Sequence, residues 1–345
     1  MKKFLALMFA VMLVATLAAC GPTNGDDNGN GDPDPDPDSM VFMVTDMGGV
    51  DDASFNESAW NGLVEFGEMT TGWDVDYIES NVEEDYIPNL TAAVDAGAEL
   101  VWAIGFMMAD HLDTVAQDNP DKFFAIIDWA QEDLRSNVAY VVFNEHEGSF
   151  LVGLIAGLTT ESNVIGFIGG MEGDLIIKFE SGFLAGVHAV NPDAEVIVQY
   201  AQSWSDTTMG EQLATQMIGE GADVVYHAAG GVGIGVAQAC VENDVWFIGV
   251  DMDQSALAPD HTLTSMLKRV DVAVRDTSKA YVDGDFPGGE VQVMGLHNDG
   301  VGYVQSDFID ADIIDIVEEW KQKILDGEFE VPQTRDGVDA FKADN

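Results

Sequence analysis

Short β-branched or aromatic runs alternate with amphipathic stretches along almost the whole chain, and this rhythm limits the fold more than any other feature. Runs over 41–45, 74–78, 100–104, 123–127 and 138–143 read as strands, with helical periodicity over 55–69, 84–97 and 107–118 between them. The pattern restarts after residue 160, with strands over 164–168, 195–200, 223–227 and 246–250 and helices over 174–189, 207–219 and 232–243. A last helix fits 310–326, and "GEFEVPQTRDG" reads as the start of an extended C-terminal arm, 331–345. Strand–helix–strand rhythm builds a parallel sheet covered by helices. The expected class is therefore α/β, with two Rossmann-like parallel-sheet lobes joined by a hinge. The expected bounds are 40–145 plus about 268–290 for one lobe and 146–267 plus about 291–330 for the other.

Ligands of open parallel sheets meet the loops beyond the carboxyl ends of the strands, and two such sheets share a cleft. The informative residues should stand just past each strand. The first strand runs into Asp46, then Gly48-Gly49, Asp51-Asp52 and Ser54-Phe55-Asn56-Glu57. Ser54 and Glu57 have the spacing of a capping box, which puts Phe55 and Asn56 in the first helical turn. A helix start explains Ser54 and Glu57 fully. Phe55 has little core to pack into at such a place. Asp128 closes 123–127 and either points into the cleft or caps a loop. Trp204 lies on the turn after 195–200, with Asp206 as an N-cap. Gly230, in "HAAGGVGIG", permits close backbone approach to a ligand or simple tight packing. His227 reads as a satisfied strand-end side chain, since no second His or Cys stands at metal spacing. Asp251 follows 246–250, and "TLTSMLKRVD" supplies Lys268.

These turns offer two aromatics, several acceptors and one ammonium. Aromatics from opposite lobes can sandwich a flat ring. A carboxylate accepts from both hydroxyls of a diol, and a Lys donates to the same group. The pattern describes a neutral, flat, hydroxylated ligand. Phosphate is disfavoured, because no phosphate-binding glycine motif occurs and the nearby carboxylates oppose it. Asp46, Asp51 and Asp52 could gather calcium, and the stretch is superficially similar to the D-x-D-P-G-x-D-D turn of calcium-dependent nucleoside hydrolases. Val44 stands where the first Asp of that turn would be, and the spacing is one residue too long. No metal site, cofactor or catalytic Ser/His/Asp or Cys/His set is expected, so the chain reads as a binding protein and not an enzyme.

The leader "MKKFLALMFAVMLVATLAAC" has paired lysines and then an apolar stretch, Phe4–Leu17, too short for a membrane span. Its end resembles the bacterial lipobox, in which Cys20 would carry the lipid and begin the mature chain. Residues 21–39, rich in Asp, Pro, Gly and Asn, read as a flexible acidic tether. Residues 1–20 would then be a lipoprotein signal peptide, and the folded part would sit lipid-anchored on the extracytoplasmic side of the cell membrane. Against 62 acidic residues there are 13 basic ones, a net charge of −49. That field repels nucleic acid and anionic membranes and describes the surface, not the activity. With Cys20 so assigned, Cys240 has no partner and reads as a small apolar filler.

"VTDMGGVDDASFNESAWNGL", "FFAIID", "SW", "AAGG", "GVDMDQ" and "TSMLKRVD" together resemble the signature segments of the basic membrane protein family, in order across 40–332. These are lipoproteins that serve as substrate-binding components of ABC importers, typified by purine-nucleoside binders. The resemblance implies a type I periplasmic-binding fold, a purine nucleoside ligand, ABC permease partners, a monomer and no cofactor. It implies that Phe55 and Trp204 stack on the base, that Asn56 and Asp128 read its edge with Asp46 nearby, and that Asp251 and Lys268 hold the ribose beside Gly230. Trp204 stands where a Phe is frequent, and the extreme acidity departs from the family's basic members. A metal-dependent nucleoside hydrolase and a ligand-sensing receptor subunit remain competing readings, as does a sugar or other small polar ligand.

Overall fold

A computed structural model describes residues 39–344. The expected signal peptide, Cys20 and the tether up to residue 38 lie outside them. The chain first lays down β1 (Ser39–Thr45), α1 (Phe55–Met69), β2 (Trp73–Ile78), α2 (Tyr86–Asp95), β3 (Leu100–Ile104), α3 (Ala109–Asp118), β4 (Phe123–Ile127) and β5 (Val138–Phe143). It crosses to a second lobe with α4 (Glu145–Thr159), β6 (Val164–Gly169), α5 (Asp174–Val190), β7 (Glu195–Tyr200), α6 (Thr207–Gly219), β8 (Val224–Ala228), α7 (Val232–Asn243), β9 (Trp246–Asp251) and β10 (Thr262–Lys268). It returns with α8 (Val270–Asp283) and β11 (Val291–Met294), then crosses again to β12 (Val301–Tyr303), α9 (Ala311–Leu325) and α10 (Arg335–Asp344).

Each lobe holds one six-stranded sheet, in the orders β11-β5-β4-β3-β1-β2 and β12-β10-β9-β8-β6-β7. Every pairing is parallel except the short antiparallel edge of β12 on β10. Central strands such as β3 are buried along their whole length, as strands covered on both faces require. The edge strand β2 alternates between half-buried and exposed residues over its first half. α4 and α5 press together through Gly153, Gly182 and Gly186, where a Cβ would lie within 2.5 Å of the facing backbone. Among the described residues no helix is long and apolar enough to cross a membrane.

Several expectations need correction. Residues 291–294 belong to the first sheet, because β11 pairs in parallel with β5. Lys268 closes β10 of the second sheet and so is not part of the first lobe. Ser39, expected in the tether, pairs with Trp73 at the start of β1. The C-terminal arm is not extended throughout: α10 packs against α5 and buries Val338. Helices α4 and α8 were not anticipated at all.

Candidate ligand-binding site

The carboxyl ends of both sheets border one cavity of about 540 Å³, counted to its open mouth. All eight residues singled out from the post-strand turns line it: Asp46, Phe55, Asn56, Asp128, Trp204, Gly230, Asp251 and Lys268. They gather there because a parallel sheet points every strand's end the same way.

Asp52, not the expected Ser54–Glu57 box, organises the first turn of α1. Its carboxylate accepts from the backbone N–H of Ser54 at 2.9 Å, Asn56 at 3.0 Å and Glu57 at 3.1 Å, the donors a helix start leaves open. The Asn56 amide nitrogen donates to Asp46 at 2.8 Å and Asp52 at 3.0 Å, which locks the side chain. Asn56 Oδ1 is then left buried without a partner. Ser54 makes no cap bond; its hydroxyl crosses the cleft and donates to Asp251.

Lys268 is 1% exposed at the end of β10. Its ammonium donates to Asp128 at 2.6 Å and lies 3.2 Å from Glu145. It also stands 5.0–5.5 Å from the ring centres of Phe143, Phe55 and Phe179. Burial works against this charge, but Asp128, Glu145 and Asp251 outweigh it and hold the Lys268 pKa above its ordinary value. Asp128 keeps one buried oxygen unpaired, and so does Trp204 its indole N–H. Trp204 is half-buried, its ring seated over the backbone of Gly170. Asp206 caps α6, as expected, accepting from Met209 N–H at 3.0 Å.

Burial pushes Asp46 up to about 6, against the hydrogen bonds from Gly48 and Asn56. Burial likewise pushes Asp251 up to about 7, opposed by Lys268 and the Ser54 hydroxyl. The site is thus rich in acceptors and holds a single buried ammonium, a lining that suits N–H and O–H donors and repels phosphate. Leu175, Ile176 and Phe179 complete its apolar wall. They sit inside the amphipathic pattern of α5, where no turn signal could have marked them. Among the described residues no group of three or more His, Cys, Asp or Glu is arranged to hold a metal ion. His227 is buried against Gln254, and Cys240 packs in an apolar cluster.

The sequence from 39 to 335 matches the family described as ABC transporter substrate-binding protein, PnrA-like. The chain belongs to this family. A "CD4+ T-cell-stimulating antigen" of Listeria monocytogenes is 44% identical over 96% of this chain and 99% of its own length. The "ABC transporter nucleoside-binding protein BmpA" of Lactococcus lactis is 37% identical over the same shares. A solved solute-binding protein of an ABC transporter system from Aeropyrum pernix is 30% identical, covers 88% of this chain and 98% of its own, and superposes with a TM-score of 0.79. Family members are substrate-binding components, and the type I periplasmic-binding fold expected from the sequence is the one observed.

Proposed function

We propose that this substrate-binding protein holds a purine nucleoside between its lobes and delivers it to the permease of an ABC importer. The observation that carries the reading is the lining of the cleft. It offers two aromatics from each lobe (Phe55 and Phe106 from the first, Phe179 and Trp204 from the second), buried acceptors, one buried ammonium, and polar atoms of Asn56, Asp128 and Trp204 that lack a partner. Unpaired buried polar atoms are costly, and a ligand that pairs with them recovers that cost. In this reading Phe55 and Trp204 stack on the base, Asn56 and Asp128 read its edge, and Asp46 backs them. Asp251 and Lys268 bind the ribose, with Gly230 in close backbone approach. The free oxygen of Asp128 suits an N1–H donor, which favours guanosine and inosine over adenosine. The Lactococcus relative's name supports the ligand class. Lipid on Cys20 would hold the protein at the outer face of the cell membrane, where a monomer suffices.

Calorimetric titration of the purified protein with guanosine, inosine and adenosine tests the ligand class. Binding of at least one at submillimolar concentration is expected, and no binding of any would defeat the reading. Calcium-dependent release of free base would replace it with a hydrolase. Loss of fatty-acid labelling in Cys20→Ser tests the anchor.

A further inference from the structure

Gln254 follows β9 in the second lobe, is 3% exposed, and is not among the residues that line the cavity. Its amide is nevertheless fixed on every side. The backbone N–H of Val250 lies 2.8 Å from Oε1. A backbone N–H can only donate, so that atom is the amide oxygen and the side chain cannot be flipped. His227 Nε2 lies 2.8 Å from the same oxygen and must therefore carry the ring proton. Its Nδ1 is then the bare nitrogen, and it is the atom found buried without a partner. Ser265 Oγ accepts from the Gln254 backbone N–H at 3.1 Å. With Oε1 doubly engaged, Nε2 has one direction left, and it donates across the cleft to the carbonyl of Ala53 at 2.8 Å.

Ala53 is equally prepared. It takes a left-handed backbone, φ 53°, and its carbonyl stays outside the ladder of α1, which begins with Ser54 accepting from Ser58 N–H. The next residue, Ser54, makes another cross-lobe bond, to Asp251, in addition to the one from Lys268 to Asp128. The ties at Ala53 and Ser54 thus hold the two residues just before Phe55 and Asn56. We infer that Gln254 is a closure latch: a donor oriented in advance by Val250 and His227 that engages the Ala53 carbonyl only when the lobes meet, and so holds the first turn of α1 over a bound ligand. Gln254 is a positioning residue. It would slow ligand escape without setting which ligand is chosen, and it rests on the nucleoside reading only for the probe.

Gln254→Glu separates the two functions of the amide. A carboxylate still accepts from Val250 and His227 but has no proton for Ala53. Stopped-flow measurement with guanosine at neutral pH should show dissociation about tenfold faster, with the association rate and the guanosine-to-inosine preference unchanged. Dissociation within twofold of wild type would overturn the latch. Should neither guanosine nor inosine nor adenosine bind the wild-type protein, the nucleoside reading alone fails. The latch is then read without ligand, from fluorophores on Asp121→Cys and Asp193→Cys, exposed positions on opposite lobes. Gln254→Glu must lengthen that distance, and an equal distance overturns the inference. If the variant does not fold, the wild-type side-chain amide protons of Gln254 carry the test. Guanosine must slow their exchange with solvent, and unchanged exchange counts against the latch.

Discussion

Asp128 and Asp251 stand at equivalent places in the two lobes, one just past β4 and the other at the end of β9, and both have φ 67°. Each of those strands is third from the edge at which the chain changes lobes. A left-handed residue other than Gly costs backbone energy, and Asp tolerates it better than most side chains. The same solution at both sheet ends brings two buried carboxylates to one cleft, with Lys268 bonded to the first and drawn to the second. Acid placed this way is expensive in the empty protein, and that expense is measurable.

The empty protein should lose stability as pH rises from about 4 to about 7. The pKa of Asp251 is raised from 3.8 to about 7 and that of Asp46 to about 6, each chiefly by burial. The folded state keeps these protons where the unfolded chain has released them. Their contribution is complete below the unfolded value and is lost as pH climbs through the folded ones. The remaining acids repel one another in the same direction, so the informative quantity is a difference. Asp251→Asn should give a shallower fall in urea-derived stability across that window, and equal slopes would show that Asp251 does not titrate there.

Replacing Lys268 by Met should destabilise the protein by about 3–5 kcal/mol, because it strands Asp128 as a buried carboxylate without its cation and leaves buried Glu145 with Lys178 alone, 3.4 Å away. The side chains of Lys268, Asp128 and Glu145 are at most 3% exposed. Adding Asp128→Asn to Lys268→Met should recover part of the loss, since it removes the stranded charge. Urea unfolding of the single and double variants measures both steps. A single-variant loss under about 1 kcal/mol would mean the charges are solvated after all.

The strand ends were legible because a parallel sheet turns a one-dimensional signal into a place: the residue after each apolar run lands on the cleft. Asp46, Asp128, Asp251 and Trp204 were found this way. The S-x-x-E spacing of Ser54 and Glu57 misled, because spacing does not show that Asp52 competes for the same N–H groups or that Asp251 draws Ser54 from the other lobe. α4 was missed because twelve of its fifteen residues are buried, leaving no polar face to give a period. β11 and β12, of four and three residues, are edge strands whose pairing depends on lobe crossings that no local pattern records.

Gly170→Ala should weaken nucleoside binding while leaving the fold intact. A Cβ at Gly170 would lie 2.3 Å from the Trp204 ring, so the indole must leave its seat. If that ring carries the base, affinity should fall by about 1–3 kcal/mol, the range for loss of a base–aromatic stack. Calorimetry on Gly170→Ala and Trp204→Ala should then give similar losses. Trp204→Phe should retain most of the affinity. Unaltered affinity in Gly170→Ala would remove Trp204 from the ligand's surroundings.

Arg335→Gln should loosen the C-terminal helix and, through it, one wall of the cleft. Arg335 opens α10, and its Nε and Nη2 each donate to Glu180 at 2.8 Å. Glu180 lies on α5, is 3% exposed, and also accepts from the Tyr200 hydroxyl. Leu175 and Ile176, about one turn earlier on α5, and the adjacent Phe179 line the cavity. The variant leaves Glu180 with Tyr200 alone. Because Arg335 is itself about half exposed, solvent screens the pair, and a cost of about 1–2 kcal/mol is expected rather than that of a fully buried bridge. Hydrogen exchange is the direct measurement. Amides of α10 should exchange faster, with a smaller rise over the first turns of α5. If α10 stays protected, the burial of Val338 holds the helix and the ion pair is incidental to its docking.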